Sequence, residues 1–169
     1  MKNLNVLIIE DETIIALALM EKVKKLGTNV IDYVASFEEA YDALEQHPNI
    51  NLLLVDINLN NSLNGIDLVD SLSKPLEVIY ITAYDDTQNI QKAIKTNPLG
   101  YLLKPVNEKE LYALLQLCRE KYKRNNESMK EIKLPQGYVF NPKEDELSYQ
   151  GQEIKLRGKQ LELFKLLIQ

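Results

Sequence analysis

Apolar and polar residues alternate along the first 123 positions in a pattern that predicts five strands, each followed by a helix. The strand candidates are short, and Leu52–Val55 is apolar at every position, as expected for a strand that is covered on both faces. The helix candidates repeat apolar residues at intervals of three or four. The predicted strands are Leu4–Ile9, Asn29–Ala35, Leu52–Val55, Glu77–Ile81 and Gly100–Leu103, and the predicted helices are Thr13–Leu26, Phe37–Gln46, Ile66–Leu72, Thr87–Lys95 and Asn107–Lys123.

This alternation predicts an α/β fold, with a five-stranded parallel sheet that is doubly wound by helices on both faces. Short connections from strand to helix to strand place successive strands parallel to one another. In such sheets, ligands bind beyond the carboxyl ends of the strands, near the point where the strand order reverses. The pattern leaves the strand order itself open.

The pattern changes after Lys123. Residues 124–131 are polar and show no period, which indicates a linker between a domain at 1–123 and a second part at 132–169. In the second part, turn signals at Asn141-Pro142 and Gln150-Gly151 separate short strand candidates. We therefore expect a small antiparallel β segment and one helix. The predicted elements there are strands at Tyr138–Phe140, Glu146–Tyr149 and Glu153–Leu156 and a helix at Gly158–Ile168.

The composition is that of a globular protein, with 45% hydrophobic and 27% charged residues over 169 positions. The single Cys118 excludes a disulfide framework. The longest apolar run, Ile14–Met20, falls far short of the roughly 20 residues that a membrane span needs. No signal peptide pattern is visible at the start of the chain. We therefore expect a cytoplasmic protein without membrane association.

Polar and charged residues stand where the predicted strands end. Glu10 and Asp11 follow the first strand, Asp56 the third, Thr82 the fourth and Lys104 the fifth. Since the carboxyl ends of parallel strands meet at one edge of the sheet, these side chains should converge. Crowded carboxylates repel one another, and Mg²⁺ with its preference for oxygen ligands relieves that repulsion.

A carboxylate beside such an ion can accept a phosphoryl group as an acyl phosphate. The Lys104 ammonium and the Thr82 hydroxyl can then donate to the phosphoryl oxygens. Taken alone, Asp11 fits equally well as a helix cap, whereas a charge such as Asp56 at the end of a buried strand must find a partner. A haloacid-dehalogenase-type phosphatase is excluded because position 58 is Asn and not a second Asp, and no Gly-rich phosphate loop is present.

Four segments carry a resemblance to a known family. They are LIIEDE at 7–12, LLLVDINL at 52–59, VIYITAYDD at 78–86 and GYLLKP at 100–105. Together they resemble the receiver domain of two-component response regulators over residues 4–123. The resemblance implies a flavodoxin-like strand order of 2-1-3-4-5.

The resemblance also implies roles for the residues at the strand ends. Asp56 would be the phosphoacceptor, and Mg²⁺ would be held by Glu10, Asp11, Asp56 and the backbone carbonyl of Asn58. Lys104 would bind the phosphoryl group. The partner would be a sensor histidine kinase, and the only chemistry would be autophosphorylation and autodephosphorylation of Asp56, so we do not expect an enzyme.

Three further residues match the switch region of the family. Thr82 would be the switch hydroxyl, and Tyr101 stands where the family has a rotating aromatic residue. Pro105 follows Lys104, and that peptide bond is commonly cis in the family. Phosphorylation would shift the population between two packings and promote a homodimer. Asn58 and Tyr84 flank the site and would tune the phosphate lifetime.

Residues 132–169 resemble the opening of the winged-helix effector of OmpR/PhoB-type regulators, chiefly through LRGKQLELFKLLIQ at 156–169. The recognition helix that reads DNA sequence would come next, so we expect DNA binding only if the domain is completed beyond Gln169. One departure concerns the dimer face, since Leu99 and Gly100 replace the usual acidic pair that bonds an Arg such as Arg119. We expect a response regulator that controls transcription. The alternative is a receiver-only signalling or relay protein whose C-terminal segment makes protein contacts.

Overall fold

The computed structural model describes residues 4–59, 64–72, 76–83, 87–128, 131–142 and 144–168. Nine strands, six α-helices and a short 3₁₀ turn at Pro135–Gly137 lie in these ranges. The elements of the first part are β1 (Asn5–Ile9), α1 (Thr13–Lys25), β2 (Asn29–Val34), α2 (Phe37–Gln46), β3 (Leu52–Asp56), α3 (Gly65–Ser71), β4 (Glu77–Thr82), α4 (Thr87–Ile94), β5 (Gly100–Leu103) and α5 (Glu108–Ser128). Those of the second part are β6 (Ile132–Lys133), β7 (Tyr138–Asn141), β8 (Glu146–Tyr149), β9 (Gln152–Ile154) and α6 (Lys159–Leu167).

The first five strands form one parallel sheet in the order β2-β1-β3-β4-β5. The predicted fold class is thereby confirmed, and the order is the one that the family resemblance implies. The order reverses at β1 and β3, which are neighbours. The carboxyl ends of β1 and β3 therefore form the crevice in which ligands of such sheets bind.

The core of the sheet lies in its three central strands. Every side chain from Val6 to Ile9 and from Leu52 to Val55 is fully buried. Helices on both faces leave these strands no exposed side, which explains why their sequences are continuous apolar runs. Helices contribute single apolar stripes instead, as in α5, where Leu111, Leu115 and Cys118 are fully buried.

Helix α5 is longer than its apolar pattern predicts. The pattern ends at Lys123, and residues 124–131 were expected to form a linker, but the helix runs to Ser128. Each residue beyond Lys123 extends a helix that is already formed, so it adds a backbone hydrogen bond without the cost of nucleating a new helix. The predicted linker is therefore helical over most of its length.

The chain divides into two compact units, the first comprising Met1–Glu120 and the second Lys121–Gln169. In the second unit the strands form a separate sheet. Its sheet is antiparallel with the order β6-β7-β8-β9 and has one strand more than predicted. Phe140 and Leu147 are buried, and the rings of Phe140 and Phe164 meet edge to face with centroids 5.0 Å apart. The small antiparallel segment with one helix is thus present. Among the described residues, no helix is long and apolar enough to cross a membrane.

Candidate functional site

The predicted site residues meet at the carboxyl edge of the parallel sheet. Strand pairing aligns Ile9 with Val55, Asp56 with Ile81, and Thr82 with Leu103. Each polar residue is therefore carried to the same level on neighbouring strands. The arrangement follows from parallel pairing alone, before any side chain is placed.

Three carboxylates cluster at this edge. Glu10, Asp11 and Asp56 each present one oxygen, and these three oxygens lie within 4.8 Å of one another. The side chain of Glu10 is fully buried and that of Asp56 is almost so. Asp11 lies one residue outside the N-cap of α1, which is Glu12. Asp11 is therefore placed with the carboxylate cluster and not at the cap position.

The Lys104 ammonium forms ion pairs with two of these carboxylates. The Lys104 Nζ lies 2.8 Å from Asp56 Oδ2 and 2.8 Å from Glu10 Oε2. Its side chain is only one-fifth exposed, so both ion pairs are largely shielded from solvent. The cluster of three acidic groups and one ammonium keeps a net negative charge, which favours a further cation.

Burial and neighbouring charge shift the protonation of this cluster. Burial is the largest cause that raises the pKa of the Glu10 carboxyl above 4.5, and the negative charge of Asp56 adds to it, while the Lys104 ammonium opposes both. Burial lowers the pKa of Lys104, but its hydrogen bonds to Asp56 and Glu10 and their charges outweigh burial, so the pKa is raised above 10.5. Lys104 thus stays protonated at neutral pH, and the raised pKa means that Glu10 holds a proton more readily than an ordinary glutamate does.

Backbone groups fix the position of Asp56. The Asn58 N–H donates to Asp56 Oδ1 at 3.1 Å, and the Ile57 N–H donates to the Ile81 carbonyl at 3.0 Å. The Gly65 N–H in turn donates to the Ile57 carbonyl at 3.1 Å. The turn after β3 is therefore tied to β4 on one side and to α3 on the other, with the Asn58 side chain exposed.

The Thr82 hydroxyl is not aimed at the acidic cluster. Thr82 is fully buried beside the end of β3, and its hydroxyl donates to the Ala83 carbonyl at 3.2 Å. The Lys104 N–H donates to the Thr82 carbonyl at 2.9 Å, so the ends of β4 and β5 are joined. The hydroxyl would have to rotate to reach a group bound at Asp56.

Tyr101 lies against the core. Its ring stacks on Tyr80 with centroids 5.9 Å apart and an interplanar angle of 22°. Its hydroxyl oxygen is buried, with no hydrogen-bond partner among the described residues, and burial raises the pKa of that hydroxyl. The Lys104–Pro105 peptide bond is cis. Tyr84, expected to flank the site, lies outside the described residues.

Two residues that shape the site are missed by sequence analysis. Tyr80 occupies a strand position like its apolar neighbours, and the ring stacking that it offers Tyr101 depends on strand pairing. Gly65 stands just before the predicted helix Ile66–Leu72, whereas in the structure it begins α3 and packs directly on Asp56. A glycine at the start of a helix after a long polar loop was the only available signal.

The donor set suits a hard divalent cation. Three carboxylate oxygens near one another, with room for water at the partly exposed Asp11, are the ligands that Mg²⁺ takes in proteins. No imidazole or thiolate of the described residues lies in the cluster, which disfavours softer metals. The residues present therefore fit a magnesium ion.

Comparison with known proteins identifies the family of the first unit. The family model of the response regulator receiver domain matches residues 6–116. The transcriptional regulatory protein CpxR of Escherichia coli is 29% identical over 171 residues, covering 97% of this chain and 72% of CpxR. The phyllosphere-induced regulator PhyR of Methylorubrum extorquens is 41% identical over 83 residues, covering 48% of this chain and 31% of PhyR.

Solved structures of receiver domains are similar to this chain as well. The signal receiver domain of a modulated diguanylate cyclase from Desulfovibrio desulfuricans is 31% identical with a TM-score of 0.65, covering 73% of this chain and 98% of that domain. The receiver domain of AraT, a response regulator from Geobacillus stearothermophilus, is 27% identical with a TM-score of 0.65 and the same coverage of both chains.

Proposed function

Because the chain belongs to the response regulator receiver family, we propose that it accepts a phosphoryl group from a sensor histidine kinase on Asp56. The observation that carries this proposal is the position of the Asp56 carboxylate. It is buried at the switch point of the sheet, shares a cluster with Glu10 and Asp11, and contacts the Lys104 ammonium at 2.8 Å.

In the proposed reaction, an Asp56 carboxylate oxygen forms a bond to phosphorus. The bond between phosphorus and the histidine nitrogen of the kinase breaks, and that nitrogen keeps the electron pair. The Lys104 ammonium, already held at the carboxylate, offsets charge on the phosphoryl oxygens. The backbone around Asp56 is fixed beforehand by the bonds of Asn58 and Gly65, so little reorganisation accompanies the step.

Glu10, Asp11 and Asp56 would hold Mg²⁺, and the Asn58 carbonyl would add a fourth protein oxygen. When bound, the ion neutralises carboxylate and phosphoryl charge. Glu10 also keeps its bond to Lys104, and this bond holds the ammonium beside Asp56. Glu10 therefore orients the Lys104 ammonium towards Asp56. Apart from formation and hydrolysis of the acyl phosphate, we propose no enzymatic turnover.

Phosphorylation would act on Thr82 and Tyr101. A phosphoryl oxygen is a stronger acceptor than the Ala83 carbonyl, so the Thr82 hydroxyl would rotate towards it. Tyr101, which already lies against Tyr80, would be favoured in its buried position when the end of β4 moves. These changes would bias a population between two packings of α4, β5 and α5.

Intact mass spectrometry tests the proposal directly. The protein is incubated with Mg²⁺ and acetyl phosphate, and one phosphoryl increment is expected. The matched variant Asp56→Asn keeps the size of the side chain but not its nucleophilic oxygen, so it should show no increment. An increment that persists in Asp56→Asn, or its absence in the wild-type protein, contradicts the assignment.

We also propose that the second unit is the first part of a winged-helix DNA-binding effector, so that phosphorylation controls transcription. Support comes from the match to CpxR, a transcriptional regulatory protein, over 97% of this chain. The four-stranded antiparallel sheet followed by α6 is consistent with that domain. Leu163, Leu166 and Leu167 of α6 are exposed by 59%, 69% and 75%, and such a stripe normally packs on further helices.

A phosphorylation-dependent homodimer is part of this proposal, although its contacts differ from the ionic ones of the OmpR/PhoB-type family. The Arg119 guanidinium donates to the carbonyls of Leu26 and Gly27 and to the Thr28 hydroxyl, at 3.3, 3.2 and 2.7 Å. It therefore already has partners within its own unit. Exposed apolar side chains, Ile94 on α4 and Leu103 on β5, suggest an apolar contact instead.

The rival function is a receiver-only relay protein, whose second unit contacts other proteins. The matched relatives differ in function, since one is named a cyclic di-GMP phosphodiesterase and not a transcriptional regulator. The receiver domain therefore does not determine what the second unit does. A fluorescence anisotropy titration of DNA, with the protein from its natural coding region before and after phosphorylation, separates the two. Salt-dependent binding that tightens on phosphorylation supports the effector, and no binding in either state supports the relay.

A further inference from the structure

Gly65 packs on the backbone of the proposed phosphoacceptor. It is buried and begins α3, directly after the N-cap residue Asn64. A Cβ atom built on Gly65 would lie well under 3.0 Å from the Asp56 carbonyl oxygen and 2.5 Å from Val55 Cγ1. The first of these is a backbone atom and the second belongs to a fully buried side chain, so neither can move aside freely.

The close approach is the reason for glycine at this position. Gly65 does not have a positive φ, unlike Gly27, Gly137, Gly151 and Gly158. Any residue could therefore adopt the backbone conformation of Gly65. Glycine is required there only because it has no side chain. A glycine retained for close approach and not for φ marks a place where two backbones must touch.

The contact has a direct path to the acidic cluster. The Gly65 N–H holds the Ile57 carbonyl at 3.1 Å, and the Asn58 N–H holds Asp56 Oδ1 at 3.1 Å. A methyl group on residue 65 would clash with the Asp56 carbonyl oxygen unless α3 and the 56–58 segment moved apart by on the order of 1 Å. The Asp56 carboxylate lies on that segment, within 4.8 Å of the oxygens of Glu10 and Asp11.

We infer that Gly65 is a positioning residue for the metal site, an inference that rests on the proposed function. Its contact with Asp56 sets the distance between α3 and the 56–58 segment. That distance in turn sets the spacing of the oxygens that would hold Mg²⁺. Magnesium requires near-octahedral oxygens at about 2.0–2.1 Å, whereas calcium accepts irregular ones at about 2.3–2.6 Å. A displaced Asp56 should therefore weaken the binding of magnesium more than that of calcium.

The test is Gly65→Ala, followed in ¹H–¹⁵N NMR spectra during titration with Mg²⁺ and, separately, with Ca²⁺. We expect the Mg²⁺ affinity to fall about 10- to 100-fold, while the Ca²⁺ affinity changes less than about 3-fold. Gly27→Ala is the matched control. Its methyl group meets nothing within 4 Å, but Gly27 has a φ of +71°, so this variant loses stability without touching the site. Its ratio of Mg²⁺ to Ca²⁺ affinity should remain that of the wild type.

A second variant covers the case in which Gly65→Ala does not fold. Val55→Ala/Gly65→Ala removes the Val55 Cγ1 contact but keeps the one with the Asp56 carbonyl, so its affinity ratio should still shift relative to Val55→Ala alone. An unchanged ratio in the folded variant, or an equal loss for both ions, overturns the inference. Intact mass after acetyl phosphate is measured on the same samples. A wild-type protein that binds Mg²⁺ but gains no phosphoryl group overturns the proposed function and leaves the role of Gly65 standing, and one that binds neither ion overturns both.

Discussion

The Lys104 ammonium lies 2.8 Å from Glu10 Oε2, so the fully buried carboxylate of Glu10 after β1 finds its cation after β5, at the same edge of the sheet but with β3 and β4 between the two strands. Lys104 bonds Asp56 at the same distance. One positive charge therefore compensates two buried negative ones. Because positive charge is lacking in the cluster, it favours the binding of a divalent cation. For the same reason, the stability of the metal-free protein should depend on each residue of the cluster.

Replacing Lys104 should destabilise the protein in the absence of metal. Lys104→Met keeps the length of the side chain but leaves Glu10 and Asp56 without a cation. We expect the free energy of unfolding to fall by about 3 kcal/mol, the lower end for a broken buried ion pair, because Lys104 keeps some contact with solvent. Urea unfolding followed by circular dichroism measures this, and added Mg²⁺ should restore part of the loss. Lys25→Met, which breaks the exposed pair with Glu108, should have almost no effect.

Glu10→Gln should stabilise the metal-free protein at neutral pH. Burial raises the pKa of Glu10 in the folded state, so the folded protein binds this proton more tightly than the unfolded chain does. The stabilisation from that proton is fully present below the unfolded pKa and is lost as the pH rises through the raised folded pKa. The ionised carboxylate is thus a cost at pH 7, and Gln removes it, so the variant should unfold at a higher urea concentration than the wild type.

The pH dependence distinguishes this effect from a general gain in stability. The advantage of Glu10→Gln over the wild type should shrink as the pH falls through the raised pKa and vanish below about 4.5. Urea unfolding at a series of pH values measures it. Glu21→Gln on the exposed side of α1 is the control and should show no such trend. A constant advantage at every pH would argue that Glu10 carries no cost of burial.

Much of the site was predictable because parallel strands bring their ends together whatever the side chains do. Asp56, Thr82 and Lys104 each follow an apolar run, and the runs alone place them at one edge. The pairing of Lys104 with Glu10 was not predictable, since it depends on how two long side chains pack. The contact of Gly65 with Asp56 was equally hidden, because it joins two backbones across a polar loop.

The parts of the fold that sequence analysis missed share a physical cause. Strand β6 has only two residues, too few to show a period. Strand β9 covers Gln152–Ile154 and not Glu153–Leu156, because the turn at Gln150–Gly151 sets its start. Helix α5 continues past its apolar stripe, where polar residues carry no periodic signal. Hydrophobic periodicity detects buried faces, and these segments have little to bury.

Magnesium should stabilise the folded protein through the acidic cluster. A ligand that binds only the folded state at 100 times its dissociation constant adds about 2.7 kcal/mol, which corresponds to a rise in Tm of roughly 5–10 °C for a chain of this size. Thermal unfolding with and without Mg²⁺ measures the rise. Asp11→Asn removes one of the clustered carboxylates and should abolish most of it, whereas Asp42→Asn on exposed α2 should keep it. Equal rises in both variants would place the ion elsewhere.

Tyr80 should make the protein sensitive to alkaline pH. Its ring is fully buried, its hydroxyl lies 3.0 Å from Thr96 Oγ1, and burial raises its pKa to about 12. Because the Thr96 hydroxyl donates to the Ala93 carbonyl at 2.8 Å, Tyr80 must be the donor to Thr96. Ionisation removes that donor and leaves a buried charge, so the stability that Tyr80 contributes is present below pH 10 and is lost as the pH rises through about 12.

Tyr80→Phe isolates this contribution. The variant keeps the ring that stacks on Tyr101 but loses the hydrogen bond, so at pH 8 it should be less stable than the wild type by about 1 kcal/mol. Above pH 10 the wild type loses stability through Tyr80 and the variant does not, so the gap should narrow and then reverse. Urea unfolding at a series of alkaline pH values measures the gap, and absorbance at 295 nm should show one late-ionising tyrosine fewer. Tyr112→Phe, half-exposed on α5, is the control and should leave that late absorbance change intact. A gap that stays constant to pH 12 would mean that the Tyr80 hydroxyl is not held in the protonated form by the core.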